Sequence, residues 1–130
     1  MKTLFTLLIC LTASFASMSQ TLTVNNGTGC TLFMHLVEIN PSCSGNVILV
    51  AVAPGTSTFN STPGWRWDFV RGISDVYPYT ACSTPLYVAA PWTWCHAGIP
   101  SVNSGPQCTC LGFLNAQYTG TPGAPILNLW

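Results

Sequence analysis

The chain has 130 residues, enough for one domain. Only 5% of them are charged, three Lys or Arg against three Asp or Glu, where an ordinary soluble protein carries roughly 25%. So few cations exclude a nucleic-acid binder that works through phosphates and a polybasic membrane-surface module. The 48% hydrophobic and 12% aromatic content excludes a disordered chain.

The chain opens on Met1-Lys2. An apolar run from Thr3 to Phe15 follows, carrying Leu4, Phe5, Leu7, Leu8, Ile9 and Leu11, and then the small residues Ala16, Ser17 and Ser19. Charged, apolar, small is the order of a secretory signal peptide. The apolar run is shorter than the roughly 20 residues that cross a bilayer. Cleavage is expected after Ser19, with a cut after Ala16 as the alternative, so residues 1–19 read as signal and 20–130 as the secreted domain. Cys10 stands inside the apolar run behind Ile9, where a lipoprotein signal wants a small residue, and is expected to leave with the signal. The remaining domain keeps Arg66 and Arg71 against Glu38, Asp68 and Asp75, a net charge of minus one with no lysine. It holds no second apolar segment long enough for a transmembrane span.

Beyond Gln20 the chain is a series of short Val-, Thr-, Phe-, Tyr- and Trp-rich runs cut by Pro54-Gly55, Pro63-Gly64, Gly105-Pro106 and Pro122-Gly123. This pattern predicts an all-β sandwich of seven to eight short strands. Thr21 to Asn25 is the first strand, with Leu22 and Val24 on one face, and Asn26-Gly27 is a turn signal. Thr31 to Ile39 is the second. Both its faces, Leu32, Met34 and Leu36 on one and Phe33, His35 and Val37 on the other, are largely apolar, which makes it central. Val47 to Ala53 is a continuous apolar run and reads as a fully buried strand. Ser57 to Asn60 is the fourth. Trp65 to Ile73 is the fifth, with Trp65, Trp67 and Phe69 alternating with Arg66 and Asp68. Leu86 to Ala89 and Thr109 to Ala116 follow, and Ile126 to Trp130 closes a sheet as an edge. The sequons Asn26-Gly27-Thr28 and Asn60-Ser61-Thr62 read as surface turns.

Six cysteines remain after Cys10: Cys30, Cys43, Cys82, Cys95, Cys108 and Cys110. An even number in a short secreted chain predicts a disulfide framework. Cys30 to Cys43 and Cys82 to Cys95 each span thirteen positions, the length of a strand, a turn and a return. These pairs are therefore expected to bond, each loop adding about 3 kcal/mol. Zinc on Cys95, His96, Cys108 and Cys110 is the weaker reading, because structural sites more often leave two to four residues between paired cysteines. No metal and no cofactor is expected.

Catalysis requires titratable groups that meet. Glu38 with Asp68 or Asp75 would be a glycosidase pair, and His96 the base of a hydrolase, but nothing local in the sequence joins them. Asp68 between Arg66 and Arg71 reads as a surface ion pair. The aromatics say more. Tyr77, Tyr79, Trp92 and Trp94 fall in expected loops, and the two-residue spacing of Trp92 and Trp94 puts both rings on one side of an extended chain. Aromatic faces on loops stack on sugars and anchor protein interfaces. The expected function is a secreted, non-enzymatic binding or assembly module at the cell surface. Its partners are a protein, a glycan or further copies of itself, with no nucleic acid. The alternatives are a carbohydrate-binding module built on Tyr77, Tyr79, Trp92 and Trp94, and a small secreted hydrolase.

Overall fold

The computed structural model describes residues 19–75, 86–93, 95–104 and 113–130. The expected signal peptide up to Met18, and Tyr77, Tyr79, Trp94, Cys82, Cys108 and Cys110, lie outside the described residues. Among the described residues no helix is long and apolar enough to cross a membrane.

The described strands are β1 (Thr21–Asn26), β2 (Leu32–Ile39), β3 (Gly45–Val52), β4 (Gly55–Asn60), β5 (Arg66–Ser74), β6 (Tyr87–Ala89), β7 (Ser101–Ser104), β8 (Leu114–Thr121) and β9 (Ala124–Leu129). They form a five-stranded sheet ordered β4-β1-β9-β8-β7 and a four-stranded sheet ordered β3-β2-β5-β6. The protein is a β-sandwich, as its short alternating runs predict. Leu22 and Val24 from β1, Leu114, Ala116 and Tyr118 from β8, and Leu127 and Leu129 from β9 meet Leu32, Met34, Leu36, Trp67, Val70 and Val88 of the other sheet in one core. Each fully buried aliphatic side chain there contributes about 1.5–3 kcal/mol. The period-2 alternation that marks the inward faces of β1 and β2 is therefore what joins the sheets.

Several expectations change in the fold. The Asn26-Gly27 turn does not fold β1 back on β2, because β1 pairs with β4 and, in parallel, with β9. Asn26 is buried rather than on the surface. Its side-chain nitrogen donates to the carbonyls of Cys30 and Val52, and its oxygen accepts from the backbone and hydroxyl of Thr28. It thus ties the crossover between sheets, while Asn60 stays exposed. The closing strand β9 is central, between β1 and β8, and β7 is a strand that the sequence pattern did not signal. The β8–β9 hairpin turns tightly at Pro122-Gly123. Gly120 at φ 90° is required there, because a Cβ would clash with the Ala124 carbonyl.

The largest correction concerns the third strand. Its apolar run predicts burial on both faces, yet β3 is the edge of its sheet. Val47 is 44% and Leu49 40% exposed. An uninterrupted apolar run does not reveal which face meets the core, and here only Ile48, Val50 and Val52 lean on it.

The disulfides also differ from expectation. Cys43 bonds Cys95, 52 positions away, in place of the 30–43 and 82–95 pairs. Cys30 is disulfide-bonded too, and its partner is not among the described cysteines. The pairing follows from the fold. The β2–β3 turn at Asn40–Ser44 is held by the Asn40 side chain, which accepts from the backbones of Ser42 and Ser44. Cys43 sits in that turn at φ 61°, against the segment that leaves β6. Equal spacing along the chain carries no information about that approach.

Candidate functional site

Strand β5 does not follow the simple alternation expected of it. Against β2 its register slips twice, once between Val37 and Glu38 and once between Phe33 and His35. In the first slip Val37 pairs with Phe69 and Glu38 with Trp67, which leaves Asp68 as the extra residue of a β-bulge. In the second, Gly72 turns at φ 64°. The bulges space the inward residues three apart, so that Trp67, Val70 and Ile73 all reach the core. Trp67 therefore no longer shares a face with Phe69.

The bulge turns Asp68 inward, where it is 1% exposed, instead of leaving it in a surface pair with Arg66 and Arg71. Its Oδ2 lies 2.7 Å from Nδ1 of His96, whose side chain is 42% exposed. The carboxylate can only accept, so Nδ1–H donates and Nε2 is left as the acceptor of the neutral ring. The imidazole also stands edge-on to Phe69, ring centres 5.2 Å apart. Two candidate groups that the sequence could not connect are thus brought together by the β5 bulge and by the Cys43–Cys95 disulfide, which anchors the residue beside His96. A buried carboxylate holding an imidazole by Nδ1 is also how acyl-transfer triads orient their base. Among the described residues, no hydroxyl or thiol hydrogen-bonds the other nitrogen of His96.

Next to this pair is a crevice lined by residues of the β2–β3 turn, β5 and the segment after β6, including Asn40, Arg66, Asp68, Trp92 and Thr93. Its volume is about 20 Å³, room for one water or one hydroxyl group and too little for a sugar ring. Three of its lining residues carry buried polar atoms with no hydrogen-bond partner among the described residues: Asp68 Oδ1, Trp92 Nε1 and Thr93 Oγ1. Each such group costs about 1–3 kcal/mol while unpaired. The Tyr118 hydroxyl is buried and unpartnered as well. Burial first, and then the negative charge of Asp68, push its phenol well above the ordinary range. Tyr87 shifts up for the same two reasons.

Trp92 is half-buried and packs on the core. The other three aromatics expected to bind, Tyr77, Tyr79 and Trp94, lie outside the described residues. Glu38 is separated from any such chemistry. It is fully buried and accepts from Asn46 Nδ2 at 3.0 Å, from the Thr62 backbone at 2.7 Å and from the Thr62 hydroxyl at 2.6 Å. Those bonds hold the β4–β5 connection against β2. Cys95, a zinc ligand in the weaker reading, is spent on its disulfide. Among the described residues no cluster of three or more His, Cys, Asp or Glu could hold a metal ion.

The second notable surface is the free edge of β3. Its ladder to β2 runs unbroken from Leu32–Val52 to Ile39–Gly45, and no described strand pairs its other side. Edge strands are ordinarily blunted by Lys, Pro or a bulge. The run Gly45-Asn46-Val47-Ile48-Leu49-Val50-Ala51-Val52 has no charge and no proline, and its register has no slip. The chain matches no known protein-family model, no curated protein and no solved structure.

Proposed function

We propose that this protein is a secreted, non-enzymatic assembly module whose copies join edge to edge through β3. The observation that carries the reading is that edge: eight residues long, apolar, regular and uncharged. The occupant is a second copy of the chain. Two antiparallel β3 strands about a two-fold axis present the same surface to each other. No charge on either strand opposes the contact. The outward row of Val47, Leu49 and Ala51 would continue across the junction, and the four-stranded sheet would become part of an eight-stranded one. The low charge of the whole chain fits a surface meant to be covered, since a free monomer normally relies on charged residues for solubility.

Light scattering on the size-fractionated exported protein tests this. The wild type is expected as a dimer or larger, and Leu49→Lys as a folded monomer, because its lysine would face its own copy across the seam. A wild type that stays strictly monomeric at high concentration, or a Leu49→Lys variant of unchanged mass, refutes it.

A further inference from the structure

We infer that the outward face of the five-stranded sheet is a platform for a neutral polysaccharide chain, a site separate from the β3 edge. Strand alternation builds it. The outward positions of β4, β1, β9 and β8 are all Thr, Asn or Gln, except Ala124, Ile126 and, one residue past β9, Trp130. A chain of side-chain hydrogen bonds crosses these strands. The Thr56 hydroxyl donates to Asn25 Oδ1 at 3.0 Å, Asn25 Nδ2 to Asn128 Oδ1 at 2.9 Å, and Asn128 Nδ2 to Thr119 Oγ1 at 3.1 Å. Each of the two amides keeps a second N–H for a ligand. Both are held in place before a ligand arrives, which lowers the entropy cost of binding.

Trp130 supplies the apolar part of the site. Its backbone continues the β8–β9 ladder, bonded both ways to Asn115, so alternation puts its indole on the same face as Asn128. It is 47% exposed. On its β1 side stands Gly27, where a Cβ would lie 3.8 Å from that of Trp130; the glycine leaves that flank of the indole open. Exposed Gln117 lies opposite Asn128 in register. A sugar ring has an apolar C–H face and a rim of hydroxyls that donate and accept, and the indole and the amides match the two. Water satisfies the amides but gains nothing from the indole. Charge selects against other ligands. The Arg, Asp and Glu side chains of residues 20–130 all lie on β2, on β5 or just after β5, which leaves none on this face to pair a phosphate or a charged peptide. From Trp130 back to Ile126 the face runs about 13 Å along the strand, more than one sugar ring, so the fitting ligand is a chain.

The probes are washed particles of microcrystalline cellulose, chitin, xylan and curdlan, mixed with the full exported chain, with bare silica as the control particle. The readout is the protein left in solution after centrifugation. At least one polysaccharide is expected to remove the wild type saturably, with half-saturation in the micromolar range, and silica is not. Trp130→Ala is expected to weaken that binding about tenfold. Gln117→Ala, whose exposed side chain holds no part of the core, is expected to weaken it about threefold. Leu49→Lys is expected to retain it, because β3 belongs to the other sheet. The inference is overturned if no polysaccharide removes the chain, if silica removes it equally, or if Trp130→Ala and Gln117→Ala both bind as the wild type does. Binding lost in Leu49→Lys and intact in Trp130→Ala also overturns it, since the contact would then belong to β3.

Discussion

Glu38 gives the most direct test of the assignment of carboxylates to structure rather than chemistry. The perturbation is Glu38→Leu, which keeps the volume and removes the acceptor. Three hydrogen bonds to a charged group are lost, two of them short, at 2.6 and 2.7 Å. Bonds of this kind contribute about 1.5–3 kcal/mol each. Part of that is returned, because a buried carboxylate no longer has to be desolvated, and because exposed Thr62 can turn its hydroxyl to water. The net loss works out at about 3–4 kcal/mol, a large share of the roughly 5–15 kcal/mol of a typical domain. In urea denaturation this moves the midpoint down by roughly 2 M. Glu38→Gln, which retains one good acceptor but turns an amide N–H₂ toward a donor, should lose about half as much. A loss below about 1 kcal/mol for Glu38→Leu, or a larger loss for Gln than for Leu, would refute the assignment of Glu38 to the β4–β5 connection.

Further outcomes follow from the same structure. A non-reducing peptide map should join the peptides of Cys43 and Cys95, and the double Ala variant should lose about 4 kcal/mol for a loop of this length; a map pairing Cys43 with Cys30 contradicts the fold. His35 lies between Leu49 and Arg71 in register. Burial first, then the Arg71 guanidinium, hold its imidazole below the usual histidine range. Because the unfolded chain then takes up its proton first, this part of the stability is complete above about pH 6.5 and is lost as pH falls from there through the lowered native value. His35→Gln should flatten the denaturation midpoint against pH across that window, and an identical slope in both proteins would disprove it.

Much of this architecture is legible in single segments of sequence. Leu22 and Val24, or Leu32, Met34 and Leu36, declare their buried faces by position alone, because successive side chains on a strand point to opposite sides and only one side of each sheet meets the core. Strand existence and the all-β class follow from that local rule and from the Pro and Gly between the runs. Trp67 is legible as a core residue, but its anchorage is not. Its indole N–H is shared between the carbonyls of Gln20 and Phe59, at 3.2 Å each, residues that only the closed sandwich brings near.

What tertiary structure alone decided is every relation between distant residues. Val47 to Val52 has the composition of an interior strand, and its place at the edge is set by which neighbours the topology supplies. β9 is central because β1 pairs with it in parallel across nearly the whole chain. Cys43 finds Cys95, and Asp68 finds His96 through a bulge that one strand's sequence does not announce. The physical reason is common to all of these. Side-chain alternation is a property of the backbone at each residue, whereas pairing, register and burial of an edge depend on which chain closures leave the least apolar surface and the fewest polar groups unsatisfied.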